Sequence, residues 1–453
     1  MALSLPGSEF LGIDSSAHAV SLARGRAAAL GLRNVRFEQT DIAEVSIPPG
    51  GFDYMVAHGV YSWVDAHVRD RLLALCATGL RSRGVAYVSY NALPGGHVRE
   101  ALREMMRFHV REVTEPKDRV AQTRALLELL GAGWSDADAF GSLMSQWAGQ
   151  VGERSDETLY HDDLAETNEA FYFHDFISHA ARHGLQFLAE ADFFEMQVGV
   201  LPEPVGEALA ELDDDVLTRE QYLDFLKGRM FRQTLLCHAE RRLNRSPQPE
   251  LLTRFSAASP ARPATPDPDL SQGQPVEFVG PKGASLRSDH PLVKVAFVRI
   301  GESWPRALPV AELAEAPGGV PPDPGDVRAL CDALLRSYAG NLVQMHLYPP
   351  TFSLQAGERP TASPLARLQA GSGPVVTNLR HASVRLEDDL GRHLITLLDG
   401  TRDRSTLLTE LEHFVGSGVL GLGGNETDAL IRELAPALER SLEGLGRLAL
   451  LSG

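Results

Sequence analysis

Two aspartates stand at the ends of successive apolar segments near the start of the chain. Asp14 ends "EFLGID" and Asp41 ends "NVRFEQTD", with one predicted helix between them. A carboxylate at the carboxyl end of a parallel strand can accept hydrogen bonds from both hydroxyls of a ribose. The second carboxylate can accept an adenine amino group, beside the backbone N–H of Ile42. The pair therefore predicts an adenosine-type ligand, while the alternative is that each Asp only caps the helix after it.

Aromatic and polar residues follow the next two predicted strands. "AHGVYSWVD" comes after the third strand and "SYNALPGGHVRE" after the fourth. The carboxyl ends of parallel strands meet at one edge, so we expect one rim there. Its residues are His58, Tyr61, Ser62, Trp63, Tyr90, Asn91 and His97. Large polar aromatics favour a pocket for a cofactor and a lysine or small nucleophile, and the alternative is a turn packed with aromatics.

The elements that position these residues alternate between strand and helix over 9–90. This alternation predicts an α/β fold, with a mostly parallel sheet and right-handed crossovers, as in a Rossmann-like domain. From 97 to about 165 the pattern is helical and indicates an insertion. "LQFLAEADF" and "MFRQTLLCH" are strand-like and are expected to complete the same sheet. We therefore predict one α/β domain over 1–240.

The remainder of the chain is predicted to contain two smaller modules. Residues 241–275 are interpreted as a linker, since "SAASPARPATPDPDLSQGQP" is rich in Pro, Ser and Ala. Helices and short strands over 276–350 and again over 374–453 favour two winged-helix-like α+β modules. The tail from His381 onward has no lysine and more acidic residues than arginines, which argues against nucleic-acid binding. Docking of a protein, or of a second copy in a homodimer, is the better interpretation.

The composition argues against a nucleic-acid binder, a membrane-inserted protein and a disulfide-stabilised scaffold. The net charge is −17, and no basic patch of a nucleic-acid binder stands out. No apolar run is long enough to cross a membrane, so no membrane insertion is predicted. Three widely spaced cysteines argue against a disulfide scaffold and favour a cytoplasmic location.

One histidine pair has the spacing of helical metal ligands. "HAARH" places His179 and His183 at i and i+4, but Ala180 stands where a metal-dependent hydrolase would carry a glutamate. The sequence therefore predicts no metal site, and the pair is interpreted as a helix surface.

Seven segments together resemble a known family. They are "EFLGID", "NVRFEQTDI", "FDYMVAHGVYSWV", "GVAYVSYNALPGGHVR", "FYFHDFISHAARHGLQFLAEA", "RPTASPLARLQA" and "LLDGTRDRSTLL". The chain resembles the class I S-adenosylmethionine-dependent methyltransferases that carry a methyltransferase regulatory domain. Within them, it is similar to the rickettsial-type lysine methyltransferases of outer-membrane proteins. The resemblance extends over essentially the whole chain.

The resemblance implies S-adenosylmethionine as cofactor and assigns roles to individual residues. It implies Asp14 at the ribose, Asp41 with Ile42 at the adenine, and His58 with Gly59 beside the methionine part. The acceptor side would be lined by Tyr61, Trp63, Tyr90, Asn91 and His97. A tyrosine or a histidine among them would help to remove the proton from the attacking amine, and the sequence leaves that choice open. The acceptor is a protein lysine or, alternatively, a small molecule.

The resemblance also sets an expectation for the start of the chain. Family members begin with a strand and a glycine-rich loop ahead of the helix that ends near "MALSLPGSEF". We expect that Met1 marks a start assigned too late. The alternative is a non-catalytic regulatory or scaffold protein that has lost its cofactor loop.

Overall fold

The computed structural model divides the chain into two compact units. One unit comprises Met1–Gln39 and Pro247–Gly453, and the other comprises Thr40–Ser246. The residues described are 1–134, 138–199, 201–212, 215–315, 323–417 and 424–452, with backbone alone for 424–430 and 432. Within them, no helix has both the length and the apolar character needed to span a bilayer.

The first unit begins with a small parallel sheet. Its elements are β1 (Phe10–Asp14), α1 (Ala17–Ala29) and β2 (Val35–Gln39). Asp14 is paired with Gln39 in the register of the two strands. Ser16 caps α1, because its Oγ accepts a hydrogen bond from the N–H of Ala19 at 3.2 Å. The predicted strand–helix–strand order of this segment is confirmed.

The second unit contains five strands and eight helices among its described residues. The strands are β3 (Phe52–Ala57), β4 (Leu80–Ala92), β5 (Ala170–Phe171), β6 (Leu185–Glu190) and β7 (Phe231–His238). The helices are α2 (Ala66–Gly79), α3 (Gly96–His109), α4 (Pro116–Gly133), α5 (Ala139–Gly152), α6 (Asp156–Thr158), α7 (Phe173–Arg182), α8 (Glu203–Ala210) and α9 (Val216–Lys227).

The sheet of the second unit has the strand order β3-β4-β7-β6, with β5 paired to the end of β4. β3 and β4 are parallel, whereas β7 runs antiparallel to both β4 and β6. The two later strands join β3 and β4 as predicted, but β1 and β2 pair in a separate two-stranded sheet, so the single sheet expected over 1–240 is only partly confirmed. The helices α3, α4 and α5 form a separate apolar cluster, which agrees with the predicted helical insertion.

One buried arginine joins two strands of this sheet to helix α9. Arg232 on β7 is almost fully buried, and all three of its guanidinium nitrogens donate hydrogen bonds to carboxylates. The acceptors are Glu190 at 2.6 Å, Asp224 at 2.9 Å and Glu220 at 3.1 Å. The guanidinium also lies 4.0 Å from the ring centre of Phe173. We call Arg232, Glu190, Glu220 and Asp224 the buried arginine cluster.

The rest of the first unit contains eight short strands and seven helices among its described residues. The strands are β8 (Ser256–Ala258), β9 (Arg262–Pro263), β10 (Val276–Val279), β11 (Ser285–Ser288), β12 (Leu308–Pro309), β13 (Gln344–His346), β14 (Val375–Thr377) and β15 (Ser383–Arg385). The helices are α10 (Pro291–Ser303), α11 (Val310–Ala314), α12 (Pro324–Ala339), α13 (Pro364–Ala370), α14 (Asp389–Leu397), α15 (Arg404–Gly416) and α16 (Gly424–Arg447).

These elements surround two apolar cores. One core includes Phe278, Phe297 and Leu334, and the other includes Leu394, Leu411 and Leu442. β10 and β11 pair antiparallel. Helices and short antiparallel strands thus build both regions, in keeping with the predicted α+β character.

The predicted linker is partly wrong, because it contains a buried strand. β8 lies at the centre of a three-stranded sheet between β12 and β13. Ala257, Ala258 and Ala261 are fully buried in this region. Small side chains allow close packing of the backbone, so a Ser- and Ala-rich segment can be core as easily as linker. Composition alone does not separate the two.

Candidate functional site

The two predicted ligand-binding aspartates are exposed and hold tight turns after their strands. Asp14 lies in the first unit, and its Oδ1 accepts a hydrogen bond from the N–H of Ser16 at 2.8 Å. Asp41 lies in the second unit, and its Oδ1 accepts from the N–H of Ala43 at 2.8 Å. Ile42 is partly buried against the apolar core. The alternative that each Asp caps the next helix is not what the structure shows, because Ser16 caps α1 and a turn, not a helix, follows Asp41.

The end of β3 presents His58 and Gly59 to solvent. Gly59 has a φ of +65°, and its N–H donates to the Oγ of Ser89 at 2.8 Å. The same Oγ lies 3.0 Å from Nδ1 of His58, so the Ser89 hydroxyl can donate to that nitrogen. The hydroxyl of Tyr87 is 3.2 Å from Nδ1 of His58 and donates to Gln233 at 2.8 Å. Both hydroxyls therefore orient the His58 ring through its Nδ1.

Tyr61 and Tyr90 lie in the apolar core and not at an open rim. Tyr61 is 2% exposed and Tyr90 is fully buried. The ring of Phe176 packs on both, at 5.0 Å from the ring centre of Tyr61 and 4.2 Å from that of Tyr90. Burial raises the pKa of Tyr61 to about 12 and raises that of Tyr90 well above its usual value. This differs from the predicted position, because α7 covers the face of β4 that carries Tyr90.

Ser62 and Asn91 are also buried, and a hydrogen bond between them connects the turn after β3 to the end of β4. The N–H of Asn91 donates to the Oγ of Ser62 at 2.8 Å, and its side-chain amide donates to Asn168 at 2.5 Å. Trp63 is partly buried, and its indole N–H is a buried donor with no partner among the described residues. These contacts preorganise the turn that follows β3.

His97 is the exposed member of the rim after β4. Its Nε2 lies 3.5 Å from the hydroxyl of Tyr172. Tyr172 stacks on His174 with ring centres 5.5 Å apart, and Phe225 packs edge-on at 6.2 Å. Phe225 is 48% exposed, so this side of the second unit presents an aromatic surface next to His97.

Sequence reasoning missed Tyr87, Ser89 and Gln233, which orient His58. A signal was available for the first two, since alternate residues of "YVSYN" must share a face of the strand. Gln233 is on β7, 146 residues after Tyr87, and no local pattern connects the two.

Three family descriptions match successive parts of the chain. "Methyltransferase domain" matches residues 1–157, and "Predicted methyltransferase regulatory domain" matches 155–238. "PKMT, C-terminal winged helix domain" matches 358–450. The three matches include Asp14, the rim after β3 and β4, and the core of the C-terminal helices.

Two curated relatives come from Rickettsia prowazekii. "Uncharacterized protein RP789" is 29% identical over 437 residues, which are 93% of this chain and 78% of the relative. "Uncharacterized protein RP028" is 31% identical over 184 residues, which are 40% of this chain and 74% of the relative.

A solved structure has the same fold along the whole chain. "The structure of PKMT2 from Rickettsia typhi in complex with AdoHcy" superposes with a TM-score of 0.85 at 25% identity. The match covers 100% of this chain and 91% of that protein. The architecture is therefore a Rossmann-like methyltransferase core with a C-terminal winged helix domain.

Proposed function

We propose that this chain, which belongs to the S-adenosylmethionine-dependent methyltransferases with a regulatory domain and a C-terminal winged helix domain, methylates lysine side chains of proteins. The observation that carries the proposal is the similarity to PKMT2 along the whole chain. PKMT abbreviates protein lysine methyltransferase. The matches to the regulatory and PKMT winged helix domains add support, since they lie almost entirely outside the methyltransferase domain.

The residues at the strand ends fit the cofactor by the chemistry of their donors and acceptors. Asp14 and Asp41 are exposed carboxylates that can accept hydrogen bonds, and Oδ1 of each already fixes its turn. We assign Asp14 to the ribose hydroxyls and Asp41, with the N–H of Ile42, to the adenine. His58 and Gly59 would contact the methionine part, where Gly59 leaves open space on the side that a Cβ would occupy.

Bound S-adenosylmethionine supplies an electrophilic methyl group on a sulfonium. The chain's own residues must then hold a neutral amine in line with that methyl and keep water away. We assign Trp63 and Asn91 to the acceptor side. His97 is the exposed group that can take the proton of the amine, whereas Tyr61 and Tyr90 would have to act through their buried hydroxyls.

The aromatic surface beside His97 supports a cationic acceptor. Tyr172, His174 and Phe225 stack next to each other, and exposed aromatic faces attract ammonium groups. A lysine arriving as an ammonium could be held there before it loses its proton at the site.

Calorimetry with S-adenosylmethionine tests the cofactor assignment. Loss of a hydrogen-bonded charge costs about 1.5 to 3 kcal/mol, so Asp14→Ala and Asp41→Ala should each weaken binding roughly tenfold or more. Asp53→Ala is the matched control, since Asp53 is an exposed aspartate of the same unit as Asp41 and pairs with Arg81. Equal affinity in the native chain and both variants would refute the assigned roles.

Mass spectrometry after incubation with labelled cofactor tests the acceptor. We expect a mass increase of one or more methyl groups on lysines of candidate proteins. Label confined to small molecules would favour the alternative acceptor class. Absence of cofactor binding at millimolar concentration would contradict methyl transfer by this chain and favour a scaffold role.

A further inference from the structure

A histidine pair and an aspartate converge on the side of the second unit. His179 on α7 and His183 at the end of that helix lie one helical turn apart, with ring centres separated by 5.7 Å. Asp70 of α2 approaches both, with its Oδ1 3.2 Å from Nε2 of His179 and 2.9 Å from Nε2 of His183. We call these three residues the histidine–aspartate cluster.

The spacing of the three side chains suits a tetrahedral ion. Their ligand atoms all lie within 4.8 Å of one another. In a tetrahedral zinc site the ligand atoms are roughly 3.3 Å apart, given the usual Zn–N and Zn–O bond lengths. The two Asp70–histidine distances are already close to that value. Two histidines and one carboxylate leave a fourth position for water, as in open zinc sites.

The side chain of His179 is held in place by a buried partner. Its Nδ1 lies 2.7 Å from the hydroxyl of Tyr61, which is 2% exposed. Metal-binding histidines commonly have the second ring nitrogen hydrogen-bonded in this way, which fixes the ring orientation. A partner of this kind also lowers the entropy lost when the ring binds an ion.

The cluster is reachable from solvent. The side chain of Asp70 is 57% exposed, while those of His179 and His183 are 13% and 17% exposed. Tyr61, Asp70 and His179 help to line a cavity of about 260 Å³. Arg69 and Arg182 also line it, together with Asp175, and Arg69 is paired with Glu169 at 2.9 Å. An ion can therefore enter and exchange its water ligand.

We propose that Asp70, His179 and His183 bind one divalent transition-metal ion, with zinc as the first choice. Two imidazoles and a carboxylate suit zinc, whereas magnesium prefers oxygen ligands alone. Without the ion, each Nε2–H donates to Asp70. On binding, the proton of each neutral ring resides on Nδ1 and the Nε2 lone pair binds the metal. His179 then donates to Tyr61 and no proton is released.

The sequence predicted no metal at "HAARH" because Ala180 stands where a metal-dependent hydrolase carries a glutamate, and the third ligand proposed here lies far away in the sequence. Asp70 precedes His179 by 109 residues and belongs to another helix. The ion would join α2 to α7 and, through His179, to Tyr61.

Zinc titration of the full chain tests the site. The protein is first dialysed against EDTA, and zinc is then added in competition with a chromogenic chelator. We expect one tight equivalent in the native chain, and binding weaker by about 100-fold or more in His183→Ala and by at least about tenfold in Asp70→Asn. His67→Ala is the matched control, because His67 is an exposed histidine on the same helix as Asp70.

Spectroscopy separates ligation from loose association. Cobalt in place of zinc should give the visible bands of a tetrahedral site in the native chain and in His67→Ala, but not in His183→Ala. Histidine ¹⁵N spectra should show two rings changing from the Nε2–H to the Nδ1–H tautomer. The proposal is overturned by the absence of a stoichiometric site in the native chain, or by equal zinc affinity in His183→Ala. Circular dichroism of each variant without metal confirms that the fold is retained.

Discussion

The second unit contains two charged clusters that differ in how far water reaches them. In the buried arginine cluster, Arg232, Glu220 and Asp224 have fully buried side chains, and each guanidinium nitrogen has a carboxylate partner. In the histidine–aspartate cluster, the carboxylate is more than half exposed and serves two rings at once. Burial requires every charge to be compensated within the protein. A partly exposed group of side chains can be reached by an ion from solvent and can then bind it.

The largest expected effect comes from breaking the buried cluster. Arg232→Met removes the cation that Glu190, Glu220 and Asp224 share, while Arg229 still lies 3.2 Å from Asp224 and 3.9 Å from Glu220. Removing one partner of a buried ion pair costs about 3 to 5 kcal/mol, so the free energy of unfolding should fall by about that amount. Urea unfolding followed by tryptophan fluorescence measures it, since Trp63, Trp134 and Trp147 lie in this unit.

Arg81→Met is the control for that change. Arg81 is 57% exposed and pairs with Asp53 at 2.8 Å. An exposed pair contributes about 1 kcal/mol or less, so this variant should unfold near the native midpoint. A similar loss of unfolding free energy in Arg232→Met and Arg81→Met would show that burial does not determine how much each arginine stabilises the fold.

The next largest effect is the stabilisation of the folded chain when zinc binds to the histidine–aspartate cluster. A ligand present at 100 times its dissociation constant stabilises the folded state by about 2.7 kcal/mol. Zinc should therefore raise the urea midpoint of the native chain and leave that of His183→Ala unchanged. A rise of the same size in both proteins would mean that zinc binds elsewhere.

The comparison also shows what the sequence could predict. The order of strands and helices in both units follows from apolar spacing and capping residues, as at Ser16 of α1. The exposed positions of Asp14, Asp41 and His97 agree with their placement after strands. Local patterns carry this information because each depends on residues a few positions apart.

The remainder depends on pairs that are distant in the sequence. Tyr90 is buried because Phe176 stacks on it, and Asp70 meets His183 across 113 residues. The carboxylates of the buried arginine cluster come from β6 and α9, whereas Arg232 is on β7. Each of these contacts arises from the packing of helices on the sheet, which no short motif encodes.

A smaller effect is expected from one carboxylate of the buried cluster. Burial raises the pKa of Glu220 above its usual 4.5, although Arg232 opposes the shift. The folded chain then holds this proton more tightly than the unfolded chain, so stability falls as pH rises from about 4.5 through the raised pKa. Glu220→Gln removes this ionisation, and we expect a flatter pH dependence in that window.

At neutral pH the same variant should differ from the native chain by about 1 kcal/mol or less, because Glu220 accepts one side-chain hydrogen bond from Arg232, at 3.1 Å, which the Gln oxygen can still accept. Asp224, in contrast, accepts from two nitrogens of Arg232, both at 2.9 Å. Urea midpoints between pH 4 and 8 measure both effects. Glu207→Gln, at an exposed position on α8, should leave the pH dependence as it is in the native chain. If the urea midpoint of Glu220→Gln changed with pH as steeply as that of the native chain, Arg232 would keep Glu220 ionised throughout this range.

The smallest effect is expected for Asp70→Asn without metal. Asn keeps a side-chain oxygen that can accept from Nε2 of His179 or His183, and the position is largely exposed. In EDTA the urea midpoint of Asp70→Asn should therefore stay close to that of the native chain. Asp224→Asn weakens a buried pair with Arg232 at 2.9 Å and should lower the urea midpoint clearly. A loss in Asp70→Asn equal to that in Asp224→Asn would mean that the carboxylate acts as a structural clamp between α2 and α7. Near-native stability without metal, together with lost zinc binding, would instead show that the charge of Asp70 serves to bind the ion.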